Sequence, residues 1–458
     1  MSFPNDRRTG ILSLTWPIFM ESLFGMLLGM ADTMMLSSHS DGAAAAVGVA
    51  NQILTVASLM FGFVTVGTSV ILNQWLGAGK LKEAGDLGRT ALTLNLMIGL
   101  LLSAVLWAWA DAFLLLFKLP PGLLAEGGAY LSITGSSVFL IALSMTLGTM
   151  LRCRGLVKEM MVISFGVNAL HIAGNYFVLM EPFGLPSFGV EGVAASTWIS
   201  RAAAMIAYWV VCSRRLDQPV RLMHPLRMRQ ADLRLIFKLG IPSAGEHVSY
   251  NLSQVVITYL VAMLGAAALT TKIYTQNITS FVFVFSMAIG QGTQIIAGHY
   301  IGAGRKEEAY RSGIRHLKLG AGVTLAVSLI LFALSGPLIG FFTTDPEIIK
   351  LGRQLMLLSV LLEPARACNM VLISSLNAAG DVKFPVLVGL VSMWGISVPL
   401  AYMFGIVFGL GLAGIWLAFA ADEWVRALVM LRRWSKRGWE RLSLNPGHAA
   451  EEQVAGQG

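Results

Sequence analysis

The sequence predicts an all-α integral membrane protein of twelve transmembrane helices, arranged as two parallel six-helix lobes related by pseudo-twofold symmetry. Bulk composition is the first reason: of 458 residues, 55% are hydrophobic and only 13% charged, with a mean hydropathy of +0.69, where a soluble chain is about a quarter charged. Twelve stretches are long and apolar enough to cross a bilayer, which takes roughly 20 residues. The chain also repeats itself at a constant offset of 225 residues.

The spans run at about residues 11–36, 45–73, 90–116, 128–151, 160–180, 190–212, 235–262, 268–298, 315–342, 352–377, 385–408 and 411–431. The second and eighth exceed the thickness of the hydrocarbon and imply tilt or extension beyond it. Lys and Arg gather on the cytoplasmic side of a membrane protein. Twenty-six of them fall with the N-terminus, the even-to-odd loops and the C-terminus, and four (Lys118, Lys272, Lys350 and Arg353) fall opposite. Both termini are therefore expected in the cytoplasm, with the chain multi-pass in the cell inner membrane. Arg7 and Arg8 before the first span suggest a retained signal anchor, since no short apolar core with a cleavage site follows. The polar tail from about Leu444 is expected to be disordered and dispensable.

The repeat aligns Pro17 with Pro242, Glu21 with Glu246, Gly67-Thr68 with Gly292-Thr293, and Gly77-Ala78-Gly79 with Gly302-Ala303-Gly304. Further on, Gly155 aligns with Gly380 and Lys158 with Lys383; past the loop at Gly184 to Gly189 the offset falls to 222. Six helices per half with one orientation make parallel repeats, a known transporter plan. The expected organisation is an N-terminus at 1–10, an N-lobe at 11–212, a basic linker at 213–234, a C-lobe at 235–431 and a tail at 432–458, with the pathway between the halves.

Several classes are excluded or weakened. Cys153, Cys212 and Cys368 form no CxxC or Cys/His spacing, so no disulfide framework, redox centre or zinc site is expected. The formal charge of +8 is scattered over short loops, not gathered on the surface a nucleic-acid binder needs. No HExxH or nucleophile elbow is present, so no enzyme and no cofactor is expected. A receptor remains an alternative that liposome transport would decide.

Acidic residues inside hydrocarbon cost at least about 2.5–3.5 kcal/mol each on insertion scales, so each needs a partner or a function. Glu21 lies roughly 15 Å along the first helix, near the bilayer midplane, and Glu246 at similar depth in the seventh. Each follows a helix-breaking proline by four residues, so protonation there can be coupled to a bend. The alternative is a structural acid hydrogen-bonded between helices. Asp32 is eleven residues beyond Glu21 on the same face, about 16 Å away; it either forms a relay with Glu21 or sits at the outer membrane surface. Glu363 is followed by Pro364 and has Arg366 at i+3, a spacing that serves an ion pair as well as an ion site. Asp422 and Glu423 stand near the end of the last span, and Asp422 and Arg426 at i, i+4 are expected to pair with each other or with Arg201.

Asn51, Gln52, Gln276, Asn277, Gln291 and Gln294 populate helices 2 and 8, the first two pairs at matching repeat positions. With Tyr250 and Tyr274 they could line a hydrated substrate cavity; interhelical bonding is the commoner role of such amides. His171 is read as structural, and Gly25 and Gly29 as a close-packing GxxxG.

Trp16-Pro17, Ala31-Asp32-Thr33, Gly67-Thr-Ser, Gly77-Ala-Gly, Gly189-Val-Glu-Gly192-Val-Ala-Ala-Ser-Thr197, Gly240-Ile-Pro242, Gln291-Gly-Thr-Gln294 and Gly302-Ala-Gly304 together resemble the multidrug and toxic compound extrusion (MATE) family, from about residue 9 to 440. The major facilitator superfamily has the same helix count, but its Asp-Arg pair is missing from GAGKLKEAGDLGRT after helix 2.

The resemblance implies a MATE-like fold and a secondary active antiporter that exports bulky, often cationic organic compounds or drugs in exchange for H+ or Na+. It implies a coupling-ion role for Asp32, and for a glutamate in helix 7 and an acid in helix 10. Glu246 lies about one turn nearer its proline than the usual site, where Tyr250 stands. One branch has an aspartate in helix 5, where this chain has Asn168, His171 and Asn175. The expected partners are a small-molecule substrate and membrane lipid, with no nucleic acid, around a monomer. A flippase for lipids or lipid-linked precursors is the alternative, and would call for a strongly basic central cavity where the charges here are mostly acidic.

Overall fold

A computed structural model describes residues 10–180, 188–218, 220, 222 and 228–442. The termini beyond these bounds and most of the basic linker, with the expectations placed on them, lie outside the described residues. Among the described residues the chain is helical, with no strand.

Two compact units are present. One, residues 20–72 and 80–240, holds most of α1 (Ile11–His39) and α2 (Asp41–Gly77), then α3 (Leu81–Ala108), α4 (Ala110–Leu116), α5 (Leu124–Ser136), α6 (Val138–Cys153), α7 (Val157–Leu179), α8 (Gly189–Arg215) and the beginning of α9 (Gln230–Ala262). The other contains residues 241–442 together with 10–19 and 73–79: the rest of α9, then α10 (Ala266–Gly302), α11 (Lys306–Ala333), α12 (Ser335–Gly340), α13 (Pro346–Ala378), α14 (Lys383–Ser392), α15 (Val398–Tyr402) and α16 (Gly411–Ser435). The units do not follow the linear halves. Helices α1 and α9 each change unit, between Phe19 and Met20 and between Gly240 and Ile241, within two residues of Pro17 and Pro242, through which both helices continue.

All twelve expected spans correspond to helical segments, and among the described residues eight are long and apolar enough to cross a membrane unaided, or nine with α5 and α6 taken as one span bent by 43°. That bend falls at Ser137, whose hydroxyl donates to the Thr134 carbonyl at 2.7 Å. The remaining three are α8, α9 and α16, and they are the helices that carry Arg201, Glu246 with His247, and Asp422, Glu423 and Arg426. Polarity here is concentrated in particular helices. The third span is divided at Trp109 into α3 and α4, and the ninth at Leu334 into α11 and α12.

The repeated glycines have a steric origin. A Cβ on Gly77 would stand 2.2 Å from the His299 carbonyl oxygen, and one on Gly302 would stand 1.9 Å from that of Gln74. The ends of α2 and α10 therefore touch backbone to backbone, and the Gln74 amide adds a 2.7 Å bond to the Ala378 carbonyl. In the first unit, Gly67 and Gly240 do the same against Ile236 and Phe63. Gly155 and Gly380 close matching helix ends at φ 74° and 85°, with Leu156 and Asp381 amides bonding back to Leu151 and Leu376, a Schellman arrangement that favours glycine. Gly25 and Gly29 correct an expectation: a Cβ on either would meet nothing within 4 Å, so this GxxxG is not a close-packing seam.

Apolar packing fills each unit separately. In the first, Phe61, Leu106, Leu114 and Leu131 are buried together; in the second, Ile257, Leu355, Ile415 and Trp416 are.

Candidate functional site

Each unit carries its own buried polar cluster. In the first, Asp32 near the end of α1 faces His171 and Asn175 on α7. Its carboxylate lies 3.1 Å from His171 Nε2 and accepts a 2.9 Å hydrogen bond from Asn175 Nδ2. His171 and Asn175 are one turn apart on one face of α7 and 3.1 Å from each other, both almost completely buried. Asp32 is thus held by groups across the unit, and His171, read from sequence as structural, is its direct partner. Asn175 Oδ1 is buried without a partner, an acceptor left open beside the carboxylate.

Glu21 is placed elsewhere. Arg152 on α6 reaches both its oxygens, at 3.2 and 3.3 Å, the partner that a structural acid between helices calls for. Asn51 accepts a 3.3 Å bond from the Tyr130 hydroxyl, while Gln52 is exposed. Arg201 donates to the Thr134 carbonyl and the Ser137 hydroxyl, both at 2.7 Å, and is not the partner of Asp422.

In the second unit, Arg366 donates to Glu363 Oε1 at 2.7 Å and lies 3.7 Å from Glu423. Arg426 bridges Glu423 at 3.0 Å and Asp422 at 2.7 Å. Asn369 donates to Glu423 Oε2 at 2.6 Å, and Ser392 donates to Asp422. The expected Glu363–Arg366 and Asp422–Arg426 pairs are therefore links of one chain. Glu423, one of the acids near the end of the last span, joins them. Glu246 has no ion pair among the described residues; its Oε1 packs against Gly389, where a Cβ would approach to 2.8 Å. Three acids thus share two arginines, and Glu246 stands apart from them.

Glu363 is 1% exposed and its Oε2 has no hydrogen-bond partner. It lines a cavity of about 160 Å³ with Tyr250, Gln276, Phe283, Arg366, Trp416 and Phe419 among the walls. Of the residues expected to bind substrate, Tyr250 and Gln276 line this cavity. Asn277 and Gln291 do not, Gln291 keeping a buried Oε1 without a partner, and Tyr274 stacks instead on Phe342 at 5.0 Å.

The repeat explains why the two clusters differ. At its offsets, Glu363 corresponds to Val138, Arg366 to Ile141, Glu423 to Arg201, and His171 to Ile396. One helical frame carries two different sets of charges. Among the described residues no group of three or more His, Cys, Asp or Glu side chains is arranged to hold a metal ion.

Paired helical repeats that bury carboxylates at membrane depth define a polytopic membrane transporter. The MatE family model matches the chain twice, over residues 17–177 and 242–403, two segments whose starts stand at the repeat offset of 225. The chain belongs to the MatE family, and the major facilitator alternative is set aside. It is 45% identical over 436 residues to the uncharacterized transporter YisQ of Bacillus subtilis, covering 95% of this chain and 96% of that one. With the probable multidrug resistance protein NorM of Thermotoga maritima it shares 26% identity over 440 residues, 95% of this chain and 94% of the relative. Among solved structures, the Vibrio cholerae MATE transporter VcmN superposes with a TM-score of 0.84 at 17% identity, over 94% of this chain and 97% of that one. An outward-facing multidrug resistance MATE transporter of the MOP superfamily gives 0.85 at 18%, over 94% and 96%.

Proposed function

We propose that this transporter is a secondary active antiporter of the cell inner membrane, working as a monomer with both termini cytoplasmic, which exports bulky, often cationic organic compounds in exchange for H+ or Na+. Asp32, Glu246 and Glu363 are the carriers of the coupling ion, and Tyr250 and Gln276 meet substrate. Glu21, neutralised by Arg152, holds α1 to α6. The observation that carries this reading is the surplus of acid in the second unit, where Glu363 keeps an unpartnered oxygen on an aromatic-walled cavity. A carboxylate so placed attracts any cation strongly in a low-dielectric setting. Organic cation and coupling ion therefore compete for it, which is what exchange requires. Asp32 fits the same role, since its partners His171 and Asn175 leave it without an arginine to neutralise it.

The relatives' names support the substrate class, NorM of Thermotoga maritima being described as a multidrug resistance protein. The test is dye efflux from reconstituted vesicles with H+ and Na+ gradients imposed separately, using wild type and Asp32→Asn, Glu246→Gln and Glu363→Gln. Efflux should follow one gradient and lose that dependence in at least one variant. Unchanged ion dependence in all three would remove these residues from coupling.

A further inference from the structure

The first unit has a polar groove that the exchange mechanism leaves unused. Along α3 the exposed side chains Met97, Leu100, Leu101, Ala104, Trp107 and Ala108 follow the i, i+3, i+4, i+7, i+10, i+11 spacing of one helix face. On α8, Ala195, Trp198 and Ile199 are exposed in the same way. Apolar faces of this extent on a membrane protein meet lipid. Between them, against α5, the surface is hollowed. A cavity of about 300 Å³ has Trp107, Ser132, Ser136, Trp198 and Ile199 in its walls, and one of about 740 Å³ has Trp107, Trp109, Asp111, Leu115, Gly128 and Ser132. Trp107 and Ser132 belong to both, so the two make one groove that runs along α5 to the break between α3 and α4 at Trp109.

The groove's chemistry is more particular than its shape. Asp111 is the one charged side chain on its walls among the described residues. Its carboxylate lies over α5, where a Cβ on Gly128 would collide with Oδ1, and it makes no ion pair among the described residues. The Ser132 hydroxyl and the indole N–H groups of Trp107, Trp109 and Trp198 also have no hydrogen-bond partner there. At the repeat offsets Trp109, Asp111, Ser132 and Ser136 become Leu334, Gly336, Leu357 and Leu361, and Trp198 becomes Ala420. Those three leucines are exposed as well. The same frame in the second unit therefore meets its surroundings with plain apolar side chains, and helix packing does not require the carboxylate, the hydroxyl or the indoles.

We infer that this groove binds one phospholipid with a primary-amine headgroup, phosphatidylethanolamine, its ammonium on Asp111 and its phosphate and ester oxygens on Trp107, Trp109 and Ser132. Charge selects the headgroup. An acid with no Lys or Arg on the walls turns away anionic lipids, which basic pockets hold. A primary ammonium brings three N–H donors to the carboxylate, whereas the quaternary ammonium of choline brings none and relies on an aromatic cage. Trp107 and Trp109 are each more than half exposed and close no cage. Depth agrees, since tryptophan favours the headgroup level and Asp111 lies just beyond Trp107. From Trp107 back to Met97 the apolar face of α3 runs about 15 Å, half the hydrocarbon thickness of about 30 Å, a bed for one acyl chain as far as the bilayer centre.

The test is native mass spectrometry of the full chain purified in detergent and incubated with an equimolar mixture of phosphatidylethanolamine, phosphatidylcholine and phosphatidylglycerol carrying the same acyl chains. The first lipid retained by wild type should be phosphatidylethanolamine, by about tenfold over either competitor, the gain of one charge-assisted hydrogen bond. Asp111→Asn should bring the three lipids to within about twofold of one another. Ser132→Leu, the residue of the other repeat, should lower retention of phosphatidylethanolamine by filling the groove. Asp111 is exposed and Ser132 half-buried, so both variants should melt with wild type. Equal retention of the three lipids by wild type, the mark of an ordinary lipid annulus, would overturn the site. So would a preference that survives Asp111→Asn, or retention untouched by Ser132→Leu. The site stands apart from the export reading, which vesicle efflux decides by itself.

Discussion

Glu21 and Glu246 occupy the same position in the two repeats, four residues after a proline, yet Glu21 is paired to Arg152 at 3.2 Å while Glu246 rests against Gly389 with no ion pair among the described residues. The difference is inherited from the partner position, since the repeat places Asn377 where Arg152 stands. One glutamate is fastened by an arginine and its twin has none beside it among the described residues.

Removing the fastening should therefore hurt. Arg152→Asn, which copies the other repeat, leaves Glu21 partly buried and unpaired, and is expected to destabilise the protein by about 1–3 kcal/mol. Adding Glu21→Gln should recover most of that loss. Thermal melting of the purified single and double variants reads both effects, and equal stability of Arg152→Asn and wild type would show the pair to be energetically idle.

The glycine seams should be far less tolerant than their neighbours. Gly302→Ala forces a methyl group to within 1.9 Å of a carbonyl oxygen and should cost about 3 kcal/mol or more, seen as lost folded yield in size-exclusion chromatography. Gly25→Ala has open space and should stay within about 0.5 kcal/mol of wild type. Similar yields for the two variants would contradict the backbone contact.

These seams also mark how much the sequence disclosed. The span count, the repeat and the glycine motifs were legible because hydropathy and spacing are local properties. Even α8, α9 and α16, which fall short of a lone apolar span, are legible as runs of mostly apolar residues. The Asp32–His171 pairing was not legible: the residues are 139 positions apart, and helix rotation, which spacing does not encode, decides whether they meet. Glu423 is visible as an acid but its role is not, as an acid near the end of a span looks like a headgroup residue until a neighbouring helix supplies Arg366. The burial of Lys272 was not legible either, because charge counting assigns a residue to a side of the membrane without assigning its burial.

At the stacked pair Trp434 and Trp439, 4.3 Å apart and fully buried, the chain beyond α16 folds back on the second unit, with Lys306 donating to the Glu440 carbonyl at 2.9 Å. Trp439→Ala should cost about 3–5 kcal/mol. A melting temperature unchanged by this variant would reduce the segment to a passive tail.

A smaller, pH-dependent effect belongs to the loop pair Arg154 and Asp217. The hydrogen bond from the Arg154 guanidinium holds the Asp217 carboxyl below its ordinary range. A carboxyl depressed in the folded state contributes stability above its unfolded value of about 3.9 and loses it as pH falls through the folded value. Half of the Asp217 side chain is exposed, so solvent screening limits the effect to at most about 1 kcal/mol. Asp217→Asn should melt slightly below wild type at pH 7 and converge with it in strong acid. A gap that widened on acidification would reverse the assignment.

The exchange of helix ends at Pro17 and Pro242 also constrains biosynthesis. A ribosome that has released the first eight helices has not yet made residues 230–240, which the first unit contains, while residues 10–19 have waited since the start for a second unit that does not exist. Neither unit can finish folding before the linker has been translated. A polypeptide severed at the linker should regain its structure only when both fragments are made in the same membrane.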